Sequence, residues 1–192
     1  MQSKAYNEFS RLTLDLGCGP HKHPGSIGVD RVPLEGVDIV ADFEQGRLPF
    51  KDDSFNFIYA HHVLEHIRNL PELLTELQRI CCLGANIEVL VPYFTCVGAF
   101  GDPTHVRFFT YYTFDHFTDD PHRHTWFAST RFSIRSRHIG FGLLFRTLGI
   151  EWFANRYPHI YENFLAYIFP ARSLKVELIV PGNPPTNEKV FK

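Results

Sequence analysis

The stretch Thr13-Leu-Asp-Leu-Gly-Cys-Gly-Pro20 restricts the fold of this chain more than any other, because a short run of strand-forming residues stops abruptly at a glycine-rich turn. Nearly continuous apolar character suits a strand covered on both faces, which in soluble proteins means parallel neighbours joined by crossovers. A glycine turn leaving such a strand lies at the carboxyl edge of the sheet, where backbone can approach a ligand closely. A dinucleotide fingerprint requires a further glycine three positions after Gly19; Lys22 stands there, which disfavours NAD and FAD.

Similar runs recur at Leu12–Leu16, Ile27–Asp30, Val37–Asp42, Phe55–Ala60, Ile87–Val91, Phe132–Ile139 and Leu174–Val180. Between the fourth and fifth runs, apolar residues at 70, 73, 74, 77, 80 and 81 follow the helical stripe, with Gly84 as the expected stop. Strands interleaved with helical segments predict an α/β fold. Asp15, Asp30 and Asp42 fall at or near the ends of the first three runs, which puts three carboxylates along one edge. An acid on the second strand tip can accept both hydroxyls of a ribose, and one on the third an adenine amino group. The ligand implied is an adenosine without a pyrophosphate.

These residues resemble the class I S-adenosylmethionine-dependent methyltransferases, especially the small stand-alone members. The likeness is carried by Leu14-Asp-Leu-Gly-Cys-Gly-Pro20, Gly28-Val-Asp30, Ile39-Val-Ala-Asp42, Leu48–Tyr59, His62-Val-Leu-Glu-His66 and Asn86–Pro92, and fades after residue 100. It implies a Rossmann-like, mostly parallel sheet of seven strands with an antiparallel edge, in one domain over residues 1–192. Residues 12–92 would hold the cofactor, S-adenosylmethionine, and 93–180 would supply the substrate-side loop, an aromatic segment and the edge strands. By the same resemblance Asp15, Gly17, Cys18 and Gly19 line the methionine end, Asp30 the ribose, Asp42 with Phe43 the adenine, and His61 the edge after strand four. His105, in Gly101-Asp-Pro-Thr-His105, is the expected base for a hydroxyl or amine acceptor on a small molecule, with Asp102 or Arg107 orienting that substrate.

Two features depart from the family pattern. About ten residues containing two prolines join the first strand to the second, too few for the usual crossover helix, so that helix is expected to be shortened or missing. Only eleven residues precede the first strand, so the usual lid helix should be absent or reduced, and the aromatic segment 141–169 is the expected substitute for enclosing the cofactor.

His62-Val-Leu-Glu65-His66 also fits H-x-x-E-H, which on a helix would place two imidazoles and a carboxylate on one face, as in zinc peptidases. Some methyltransferases carry E-x-x-E-H at this place and bind a divalent ion. Here His62 replaces the first glutamate, and the expectation is that Glu65 and His66 brace a helix and hold no metal. A metal hydrolase and a cofactor-binding module without catalysis remain the alternative functions. The module would bind S-adenosylmethionine yet methylate nothing.

Charge and composition narrow the partners. Residues 121–150 hold five arginines and no acid, a distribution that fits an exposed antiparallel strand whose arginines alternate with Phe132 and Ile134. With a pI near 6.6 and no sustained basic stripe, nucleic acid is a poor partner. Nineteen phenylalanines are present, and aromatic residues crowd positions 145–169, where packing against the sheet, an acceptor pocket, a homodimer face or a membrane surface are all physical uses. No run is apolar and long enough for a membrane span, the four cysteines form no C-x-x-C pair, and a cytoplasmic location is expected.

Overall fold

The computed structural model describes residues 12–44, 47–120 and 130–181. Seven strands form one sheet: β1 Thr13–Leu16, β2 Ile27–Asp30, β3 Ile39–Val40, β4 Phe55–His61, β5 Cys81–Pro92, β6 Ser133–Gly140 and β7 Ser173–Ile179. Their order is β3-β2-β1-β4-β5-β7-β6, with β1 to β5 parallel and β7 antiparallel to both neighbours. Each overlaps a run read from the sequence, though β3 keeps only two residues of its run and β5 begins six residues before Ile87. Parallel strands share one direction, so the residues leaving β1, β2, β3, β4 and β5 gather along one edge.

Leu14, Ile58, Ile87 and Leu178 stand in register across β1, β4, β5 and β7, and each is fully buried. One residue further along, Asp15, Tyr59, Glu88 and Glu177 form the next row on the opposite face, as the pleat requires. The buried row belongs to a core that also takes in Leu73, Leu74 and Leu77 of α1 (Leu70–Ile80). At roughly 1.5–3 kcal/mol per fully buried leucine, these three side chains hold α1 against the sheet. Asn69 caps the helix by accepting a hydrogen bond from the Glu72 backbone N–H (3.4 Å), and Pro71 suits the first turn.

The helix does not run to Gly84. It stops at Ile80, and Cys81 already opens β5 in extended conformation. Gly84 instead takes a positive φ of 79° inside that strand. Pairing of Phe55 with Cys81, followed by a register shift, draws the chain into the sheet before any glycine is reached.

Between β1 and β2 the described chain makes turns and no helix, as the two prolines predict. Hence Asp15, Tyr59, His61 and Glu88 lie on a face that carries polar and ring contacts. His23 from the turn stacks on Tyr59, with ring centroids 3.9 Å apart and planes 6° from parallel. The His23 N–H donates to Asp15 Oδ2 at 2.7 Å. The residues before Leu12, where a reduced lid helix was expected, lie outside the described residues.

Beyond α2 (Val97–Gly101), which follows β5, the aromatic segment 141–169 forms α3 (Leu143–Thr147), α4 (Ile150–Arg156) and α5 (Pro158–Ile160), then a π-helical turn at Tyr161–Leu165. Tyr161 and Ala154 are buried in the core, while Trp152, Phe164 and Tyr167 are 68%, 72% and 82% exposed. Packing thus uses only part of this segment. On β6 a bulge between Ile134 and Ser136 interrupts the alternation read from the sequence. Arg135 stays at the surface near Glu177, whereas Arg137 turns inward to pair with Asp115. No described helix is long and apolar enough to cross a membrane.

Candidate functional site

A cavity of about 240 Å³ opens at the carboxyl edge and is lined by residues from four strand ends, among them Gly17, Asp30, Asp42, Phe43, His62 and His66. Gly17 has φ 64°, and a Cβ there would lie 2.3 Å from Val63 Cγ2, so only glycine fits between the turn and the opposite wall. Gly19 also has positive φ, but faces open space. Its N–H donates to Asp30 Oδ2 (2.9 Å), and the Val32 N–H donates to Asp30 Oδ1 (3.0 Å). Both carboxylate oxygens are therefore fixed in place, and each keeps a lone pair for a hydroxyl donor. Asp42 accepts from the Glu44 N–H (3.0 Å), and Glu44 in turn accepts from the Arg68 N–H (2.5 Å), which ties this rim to the start of α1. Phe43 presents a ring that is nearly buried beside it.

Four of the expected cofactor residues, Gly17, Asp30, Asp42 and Phe43, thus meet on one cavity. The other four sit around it without lining it. Asp15 is buried, 3% exposed, and its carboxylate is engaged by His23. Cys18 points inward, since a Cβ on Gly28 would lie 2.7 Å from its Sγ; burial raises its thiol pKa, with Asp15 and Asp30 adding to the effect. Gly19 acts through its N–H to Asp30.

His61 lies on the sheet face, where Nε2 meets Glu88 Oε1 at 2.9 Å while Lys175 holds the other Glu88 oxygen at 2.9 Å. Burial lowers the His61 pKa against the opposing pull of Glu88. Burial also raises that of Glu88, but Lys175 and His61 together outweigh it and leave the carboxylate low.

The next residue takes the place on the cavity. His62 has φ 54°, a left-handed conformation uncommon for a side chain of its size and typical of functional turns. That reversal ends β4 and swings His62 away from the row of Tyr59 and His61. H-x-x-E-H does not fall on one helix face: Leu64–His66 form a single 3-10 turn. His62 Nδ1 lies 3.3 Å from Glu65 Oε1, and this bond raises the His62 pKa. His62 and His66 are cavity residues that a helical reading of the motif hides; the signal in the sequence is the histidine doublet at a strand end.

His105 and Asp102 lie in the loop after α2, clamped on the 65–68 turn. The Val106 N–H donates to the Glu65 carbonyl (2.9 Å), and Arg107 donates through Nη2 to the Arg68 carbonyl (2.8 Å) and through Nε to that of Ile67 (3.3 Å). Asp102 accepts from the backbone N–H and the hydroxyl of Thr104, and the hydroxyl bond comes first in holding its pKa low. The His105 ring packs against His66, with centroids 4.7 Å apart. None of the residues 141–169 lines the cavity holding Asp30, so the aromatic segment does not enclose it as expected.

A protein-family profile described as a methyltransferase domain matches residues 5–178. Among solved structures, the chain is similar to the YcgJ protein of Bacillus subtilis (15% identity, TM-score 0.57, covering 90% of this chain and 93% of that one). It is also similar to an S-adenosylmethionine-dependent methyltransferase of Archaeoglobus fulgidus (18% identity, TM-score 0.56, 88% and 86% covered). A third similar structure is the [4+2]-cyclase SpnF (17% identity, TM-score 0.55, 89% and 74% covered). No curated protein matches the chain in sequence.

Proposed function

The chain belongs to the class I S-adenosylmethionine-dependent methyltransferases, and from that premise we propose that it methylates an oxygen or nitrogen on a small molecule. The observation that carries the cofactor assignment is the meeting of Gly17, Asp30, Asp42 and Phe43 on one cavity. Asp30 accepts the ribose hydroxyls, Asp42 and Phe43 hold the adenine, and the turn Gly17–Gly19 faces the methionine end. Residues 12–92 are then the donor half, with Asp15 and Cys18 setting the turn from below, and 93–180 the acceptor side.

Methyl transfer is an in-line displacement at the sulfonium carbon, and the thioether leaves without an acid. The protein therefore contributes alignment, exclusion of water and removal of the acceptor proton. His105 with Asp102 is the assigned acid-base pair. His61, bound to Glu88, serves the sheet face behind the site.

A second reading follows from the likeness to a structure described as a cyclase: this fold also serves proteins named for other chemistry. The chain would then hold the donor without spending it. Incubation with methyl-labelled S-adenosylmethionine and a panel of phenols, alcohols and amines separates the two. Labelled product with S-adenosylhomocysteine in equal amount supports transfer, and tight cofactor binding with no product from any acceptor refutes it.

A further inference from the structure

Glu65, His66 and His105 each offer a potential ligand atom, and these three atoms lie within 4.8 Å of one another. Glu65 is 1% exposed, and its Oε2 is a buried carboxylate oxygen without a hydrogen-bond partner. A buried carboxylate oxygen left without a partner has lost its hydration with nothing in return, which a bound cation would relieve.

The hydrogen bonds of the two imidazoles point the same way. His105 Nδ1 lies 3.0 Å from the Ala99 carbonyl, which only accepts, so Nδ1 carries the proton and Nε2 keeps its lone pair. His66 Nδ1 lies 2.9 Å from Thr104 Oγ1, and that hydroxyl already donates its proton to Asp102 Oδ1 at 2.6 Å. The hydroxyl must therefore accept from His66 Nδ1–H, which again leaves Nε2 free. Metal-binding histidines are oriented by this kind of outer contact, one to a carbonyl and one through a hydroxyl to a carboxylate.

We propose that Glu65, His66 and His105 form a binding site for a divalent transition-metal ion, zinc in preference to magnesium. Two nitrogens and one carboxylate are the donor set of open zinc centres, whereas magnesium favours oxygen and retains its waters. With a metal bound, His105 is a ligand and no longer the base, the metal taking over activation of the acceptor, and Asp102 positions His66 through Thr104.

His66 also lines the cavity that holds Asp30, so a free coordination position lies near the methyl donor. Resting on the methyl-transfer reading, this selects a hydroxyl acceptor. The bound hydroxyl loses its proton to solvent, its oxygen forms the bond to the methyl carbon, and the carbon–sulfur bond breaks with its electron pair going to sulfur.

The test uses metal-free full-length protein without methyl donor, so its outcome is separate from that of methyl transfer. Calorimetric titration with zinc chloride is expected to show one tight site, with magnesium chloride binding at least 100-fold more weakly. Glu65→Gln and His105→Ala should each weaken zinc at least tenfold. Thr104→Val, at an exposed residue that leaves folding intact, should weaken it about tenfold by releasing His66. Far-ultraviolet dichroism monitors the fold of each variant. Zinc bound equally well by Glu65→Gln and Thr104→Val, or no tight zinc at all, overturns the site.

Discussion

Replacing Asp30 by asparagine keeps the shape of the side chain and removes its charge, so it isolates what the carboxylate gives to a ribose. In the folded protein Oδ2 is engaged by the Gly19 N–H at 2.9 Å and Oδ1 by the Val32 N–H at 3.0 Å. An amide has a single acceptor oxygen, so one of these positions is lost and a ribose hydroxyl meets an N–H₂ in place of an acceptor. A hydrogen bond to a charged group contributes about 1.5–3 kcal/mol. One such bond corresponds to a fall in affinity of roughly tenfold to 150-fold, and Asp30→Ala should exceed tenfold as well.

Titration calorimetry with S-adenosylhomocysteine measures the change, and a urea transition confirms that the variant is folded. The same experiment with 2′-deoxyadenosine as ligand should show a smaller effect of the substitution, since one hydroxyl is already missing. If Asp30→Asn left binding of S-adenosylhomocysteine within twofold of the parent, the placement of the ribose on Asp30 would be refuted.

Further expectations concern the scaffold. Gly17→Ala incurs about 1–2 kcal/mol for its left-handed backbone and about 1–3 kcal/mol for the overlap with Val63, and urea denaturation should show both, with Val63→Ala restoring part of the loss. Tyr93→Phe deletes the hydroxyl that donates to Glu162 Oε1 at 2.6 Å. That bond joins the end of β5 to the π-helical turn, and its loss should lower stability by about 1.5–3 kcal/mol in the same assay. Burial lowers the pKa of His61 below 6.5, so as pH falls through 6.5 the unfolded chain takes up a proton first and stability drops until the lower folded value is passed. His61→Gln should remove that part of the slope between pH 7 and 5; parallel urea-midpoint curves for variant and parent would contradict it.

The sheet could be read from the sequence because each strand alternates or sustains its apolar residues on its own. Leu14 and Leu16 or Ile87 and Val89 need no partner to declare themselves. What depends on pairing was not legible. Cys81 looks like the last residue of the helical stripe, yet bonding to β4 makes it the first of β5. The bulge that turns Arg137 toward Asp115 leaves no mark in a pattern that alternates smoothly.

Among candidate site residues, those fixed by the turn and by strand tips, Gly17, Asp30 and Asp42 with Phe43, could be placed. His61 could not be distinguished from His62 without the backbone reversal at φ 54° that sends one to the sheet face and the other to the cavity. Likewise the partnership of His105 with Glu65 and His66 arises from a loop nearly forty residues away, held by Arg107 and by the Val106 N–H.

Diffraction from crystals grown with S-adenosylhomocysteine bears most directly on the central assignment. The adenine should lie against Phe43 beside Asp42, both ribose hydroxyls should reach Asp30, and the amino-acid end should follow the turn at Gly17. Nucleoside density at any other place on the molecule, or an empty cavity at saturating ligand, would contradict it.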